Sequence, residues 1–141
     1  MNFLVSLETS ASGLYAQRKR MDIIASNLAN IDTTRTEKGG PYRRKMVVMK
    51  SMPMVRDFQN ILNMQIEGVR IEDIVEDKSD FKRVFNPSHP DADQDGYLLK
   101  PNVDLIVETT NMLMARRAFE ANLAAIKATR QMAIKALEIG R

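Results

Sequence analysis

The stretch PNVDLIVETTNMLMARRAFEANLAAIKATRQMAIKALEIGR, Pro101 to Arg141, decides what kind of molecule this is. Pro101 stops the segment before it, Asn102 is placed to cap, and Asp104 and Glu108 fall near the positive end of a helix dipole. Lys135, Gly140 and Arg141 supply the matching exit signals. Between these ends Leu105, Met112, Phe119, Ile126 and Ala133 recur every seven residues, a period that holds one face in register with a partner helix. Leu123 and Leu137 reinforce that column, and Arg116 and Arg130 interrupt its companion. Ala118, Ala121, Ala125, Ala128 and Met132 form a second stripe about 100° around the helix. Small residues let backbones approach closely, which suggests neighbours on more than one side; alanine's helix propensity explains the same stripe without a partner.

The other end of the chain has a matching pattern. Leu4, Leu7, Ala11, Leu14, Met21, Ala25 and Leu28 alternate steps of three and four, with one lapse at Arg18, as a coiled-coil seam does. Phe3, Tyr15, Ile24 and Ile31 widen the stripe, the opposite face carries Glu8, Ser12, Lys19, Asp22 and Ser26, and Asn2 is a candidate cap. The two predicted helices run about 27 and about 37 residues, or about 40 and about 55 Å, which is too long to fit inside a compact domain of this size. Ordering a residue costs about 1–2 kcal/mol and a buried Leu, Ile or Met returns about 1.5–3 kcal/mol, so one stripe supplies only part of what a terminal helix needs. The ends are therefore expected to be partly unfolded in isolation and to complete their folding against other copies or partners.

The middle reads differently. RRKMVVMKSMPMV and GVRIEDIV carry β-branched residues with partial alternation, and Gly39, Gly40, Pro41 and Pro53 punctuate the region. Met46, Met49, Met52, Met54 and Met64 are adaptable fillers of a core or a pliable interface. The expected fold is mainly α with a small β insert: an assembly helix in residues 1–31, a central domain of short strands and loops in 32–100, and a second assembly helix in 101–141. The two long helices are expected to pair as a coiled-coil-like layer.

Composition narrows the function. Of 141 residues, 44% are hydrophobic and 28% charged, the balance of a folded protein. With no cysteine there is no disulfide framework, thiolate metal site or thiol nucleophile. The net charge of +3 and the clusters Arg18-Lys19-Arg20 and Arg43-Arg44-Lys45 come without a nucleic-acid module or stacking aromatics, so they read as solvated faces or interface charges. No window reaches the 18 or more apolar residues of a transmembrane helix, and Glu8 interrupts the short apolar run at the N-terminus, so neither membrane insertion nor a cleaved signal peptide is expected.

One motif invites a metal. Asp91, Asp93, Asp95 and Gly96 open a calcium-loop pattern, but the position that needs a bidentate carboxylate is Asn102, with Pro101 before it and no entering helix upstream. The better reading is a turn on Asp95-Gly96 whose aspartates bond nearby amides. His89 is the only histidine, flanked by Ser88 and Pro90 in a proline-rich loop, and is expected to be a turn residue. The Gly39-Gly40 pair lacks a phosphate-loop pattern, so no enzyme, cofactor or metal is expected. In Ser26 to Arg35, Asn27 and Asn30 share a helix face: Asn30 is a candidate left-handed terminator, and the two amides are alternatively register-fixing groups between neighbouring helices.

Ser26-Asn27-Leu28-Ala29-Asn30, Gly39-Gly40-Pro41-Tyr42-Arg43-Arg44, the turn from Asn86 to Tyr97, and Arg116-Arg117-Ala118-Phe119-Glu120-Ala121-Asn122 with Ala136 to Arg141 resemble the flagellar axial proteins of rod, hook and filament. That resemblance implies a noncatalytic structural subunit of the proximal rod in the periplasm, exported through the flagellar type III apparatus. It also implies terminal helices that pair into an inner layer around the export channel, with self, other rod proteins and the basal ring complex as partners. The assembly residues expected on this reading are Leu4, Leu7, Leu14, Met21, Ile24, Asn27, Leu28, Asn30, Leu105, Met112, Phe119, Leu123, Ile126 and Leu137. A cytoplasmic coiled-coil adaptor with a β insert and a calcium-responsive interaction module are the rival readings.

Overall fold

A computed structural model describes residues 3–53 and 67–139. The expectations for Asn2, Met54, Met64, Gly140 and Arg141 lie outside the described residues. Helix α1 runs Phe3–Ala29 and helix α2 runs Leu105–Ile139. Between them come strands β1 (Lys45–Pro53), β2 (Glu67–Glu76), β3 (Lys82–Phe85) and β4 (Tyr97–Lys100). The strands form two antiparallel pairs, β1 with β2 and β3 with β4. The mainly helical fold with a small β region is as expected.

The helices lie antiparallel, since Gly13 sits against Asn122 and Asn27 against Glu108. Their approach is close: a Cβ on Gly13 would stand 2.9 to 3.1 Å from the Asn122 side chain. In α1 the buried residues are Gly13, Ala16, Ile24 and Asn27, and in α2 they are Glu108, Ala115 and Thr129. The inward face of α1 is thus not the leucine seam. Leu4 is 72% exposed, Leu7, Leu14, Met21 and Leu28 are half-buried, and Ala11 and Ala25 are exposed. At 100° per residue the Gly13–Ala16–Ile24–Asn27 line falls well over 90° around the helix from that seam. Close backbone approach explains it: the tightest contact favours small side chains, and the bulky ones face away.

In the β1–β2 pair the register runs from Lys45 opposite Glu76 to Pro53 opposite Glu67, with a shift between Val48 and Met49. Val47 and Met49 turn inward while Met46 and Val48 are exposed, the alternation the pleat imposes. Val69 N donates to Ser12 Oγ at 3.1 Å, which ties β2 to the polar side of α1.

The acidic run is a turn, as its missing twelfth ligand predicts. Asp93 Oδ1 accepts from Asp95 N at 3.0 Å and from Tyr97 N at 2.8 Å, and Gly96 takes φ 78°. Asp91 Oδ2 accepts from Thr34 Oγ1 at 2.8 Å, and His89 Nδ1 accepts from Asp91 N at 3.1 Å. A side chain at residue 96 would be strained twice, by the left-handed backbone and by Phe85 Cε2 at 3.0 Å from its Cβ.

Two capping expectations change. Asp104 caps α2, its Oδ1 accepting from Ile106 N at 2.9 Å and Val107 N at 3.2 Å. Those two amides hold the Asp104 carboxyl below the ordinary aspartate range. Asn102 is therefore not the cap; its side chain is used elsewhere. Asn30 is not left-handed either, because no non-glycine residue among those described has positive φ. It closes α1 through its own amide, with Nδ2 donating to Ser26 O at 2.9 Å and Oδ1 accepting from Thr33 Oγ1 at 3.1 Å.

Candidate functional site

Where the end of α1, the start of α2 and the start of β1 meet, the interior is polar. Asn27, fully buried, makes every bond its amide can make. Nδ2 donates to Lys45 O and to Glu108 Oε2, each at 2.9 Å, and Oδ1 accepts from Lys45 N at 2.9 Å and from Tyr42 Oη at 3.0 Å. Glu108 is also fully buried, and its charge is met by Arg44, with Nε at 2.9 Å and Nη2 at 2.8 Å from Oε1. Arg44 Nη1 lies 3.4 Å from Asp77 Oδ2. The Asp77 carboxyl is held below the ordinary aspartate range, first by the Ser79 amide and hydroxyl and then by Arg44.

Asn102 completes the joint. Its Oδ1 accepts from Arg44 N at 2.8 Å, while Nδ2 donates to Ser79 Oγ at 2.8 Å and Asp77 O at 3.1 Å. Arg43 Nη1 donates to the Asp77 and Ser79 carbonyls at 3.1 Å each, and its guanidinium stacks 4.4 Å from the centre of Phe81. Asn27, Tyr42, Arg44, Asp77, Asn102 and Glu108 thus centre a joint in which buried polar groups have partners, the condition for a polar interior that does not destabilise.

Two surfaces leave this joint. On α1 lie Leu4, Leu7, Leu14, Met21 and Leu28; on α2, Leu105 and Leu137 are exposed, Leu123 is at the margin, and Met112, Phe119 and Ile126 are half-buried beside the inward line. Of the other predicted assembly residues, Ile24 and Asn27 are buried inside the chain, and Asn30 is half-buried at the exit of α1. Sequence reasoning read Asn27 as a register-fixing amide between neighbouring helices and as an assembly residue; here it joins α1 to Glu108 of α2 within one chain. The same reasoning missed Asp77, noted Tyr42 only as part of a family motif, read Arg44 as a solvated or interface charge, and read Glu108 as a dipole partner. Among the described residues no group of three or more His, Asp or Glu side chains is placed to hold a metal, and no helix is long and apolar enough to cross a membrane.

The segments that build the helical pair are also those that match known families. Residues 7–35 match the model of the flagella basal body rod protein, and residues 94–139 match the flagellar basal body rod FlgEFG protein C-terminal model. A flagellar basal-body rod protein FlgC of Bacillus subtilis is 47% identical, over 96% of this chain and 97% of that protein. This chain belongs to the FlgC family of flagellar basal-body rod proteins. The FlgC proteins of Borreliella burgdorferi, at 38% identity over 99% and 98% of the two chains, and of Salmonella typhimurium, at 33% over the whole of both, agree. Likeness to FlgC over the full length sets aside the cytoplasmic adaptor and calcium-module readings. The joint straddles the two family models, because Asn27 and Glu108 lie within them and Tyr42, Arg44 and Asp77 between them.

Proposed function

We propose that this chain is a noncatalytic structural subunit of the bacterial flagellar basal-body rod. It polymerises through its terminal helices, lines the export channel and transmits torque. Residues 1–31 and 101–141 are its assembly segments, and residues 32–100 form the outer part. It assembles with itself and other rod proteins, meets the basal ring complex, and leaves the cytoplasm through the flagellar type III export apparatus. The assembly contacts we assign are Leu4, Leu7, Leu14, Met21 and Leu28 on α1, and Leu105, Met112, Phe119, Leu123, Ile126 and Leu137 on α2. Ile24, Asn27 and Asn30 act indirectly, by placing those surfaces.

The observation that carries this reading is surface. Large apolar side chains stand exposed on both helices, from Leu4 and Tyr15 on α1 to Ile106, Met114, Met132 and Leu137 on α2, where a permanent complex would cover them. Unlike surfaces at the two ends suit head-to-tail helical growth rather than a closed pair.

The test is Leu123→Glu, with Phe119→Glu as a second position. Swimming is expected to be lost while the variant chain is still exported. Wild-type swimming with either substitution overturns the assignment of that face.

A further inference from the structure

The apolar packing of the β1–β2 pair on the helices is incomplete beside the joint. Beside the joint lies an open cleft of about 340 Å³, lined by Arg20, Ile23, Ile24, Met46, Met49 and Asn111 among others. Close-packed interiors hold geometry by interdigitation, and an unfilled cleft lacks those contacts. What spans α1, β1 and α2 at its edge is directional. Asn27 grips both the N–H and the C=O of Lys45, which pins the first residue of β1 by its backbone. Arg44 sets two donors on one Glu108 oxygen and turns its third nitrogen to Asp77, just past the end of β2.

A buried ion pair is a poor source of net stability, because desolvating both charges offsets their attraction; its bonds nevertheless demand one geometry. We infer that Asn27, Arg44 and Glu108 are positioning residues that set the angle of the β1–β2 pair on the helices, and that the Arg44–Glu108 charges supply orientation rather than net stability. This is a property of the single chain and goes beyond the rod reading.

The experiment uses the full chain in solution. It has no cysteine, so Asp22→Cys on α1 and Lys78→Cys after β2 take two spin labels without background. The inter-label distance distribution is measured by pulsed electron resonance in this labelled chain, in Arg44→Met with Glu108→Gln, and in Arg44→Lys. The neutral pair keeps an acceptor for Asn27 Nδ2 while removing both charges. The expected result is a narrow distribution in the parent, a broadened one in the neutral pair at an unchanged melting temperature, and an intermediate one in Arg44→Lys, which keeps the charge but loses the fork.

Parental width in both variants overturns the inference. So does loss of the fold in the neutral pair, since the charges would then be supplying stability. Neither result touches the rod reading, which fails separately if a tagged chain is absent from isolated basal bodies.

Discussion

At the joint, α1 and α2 are held by the Asn27–Glu108 bond, with Arg44 paired to the same carboxylate; toward Phe3 they meet through Gly13, Ala16 and Ala115, with Leu4 left exposed. One end of the helical pair is closed by buried polar bonds, and the other leaves apolar surface open. The difference separates two duties that a pattern of apolar residues merges. The residues that specify the fold here are mostly polar and buried, and the residues assigned to assembly are apolar and half-buried or exposed.

The largest test of that contrast is Glu108→Ala. It leaves Arg44, only 20% exposed, without its main counter-charge and Asn27 Nδ2 with only the Lys45 carbonyl to donate to. A loss of about 3–5 kcal/mol is expected in urea unfolding; a loss below 1 kcal/mol, on the same order as an ordinary surface site, would break the comparison. Asn27→Ala comes next. It strands the N–H and C=O of Lys45, and each buried group left unpaired costs about 1–3 kcal/mol, read by the same measurement.

Acid titration sharpens the picture with a smaller effect. Asp77 and Asp104 are both held below their ordinary value of 3.8 when folded. They bind protons more readily unfolded, so their stabilisation is complete above that value and is lost as pH falls through the lower folded values. Asp77→Asn should therefore reduce stability at neutral pH and flatten the acid limb of a melting-temperature profile; an unchanged limb would separate Asp77 from the joint. The smallest effect belongs to the other end. Leu137→Glu, at a position 75% exposed, should move unfolding by no more than about 0.5 kcal/mol, yet abolish incorporation into basal bodies. A destabilised but incorporated variant would reverse the assignment.

Much of this was legible in the sequence. The seven-residue column in α2 was enough to find that helix, and Met112, Phe119 and Ile126 do border its inward line. The acidic turn was readable because a calcium loop needs a carboxylate where Asn102 stands. The inward face of α1 was not readable, because periodicity gives the core to the largest apolar stripe, and here the contact is made by Gly13, Ala16 and Asn27. Nor does spacing reveal that Glu108 waits for Arg44, a partner 64 residues away. Local rules chose Asn102 as the cap and gave Asp104 to the helix dipole, but Asn102 was claimed by Arg44 N and Ser79 from across the chain. The signal that was available was the oddity itself, an acidic residue falling on the side of α2 that turns toward its neighbour.

Tyr42, Arg44 and Lys45 each meet a fixed partner, which restricts how this protein can vary in length. Dropping or adding one residue between Tyr42 and Lys45 would break the spacing by which Tyr42 Oη and the Lys45 backbone both reach Asn27 while Arg44 reaches Glu108. Gly39 and Gly40, three and two residues before Tyr42, have nothing within 4 Å of the position a Cβ would take. Insertions and deletions among relatives should therefore collect on the glycine side of Tyr42, with the span from Tyr42 to Lys45 kept at constant length.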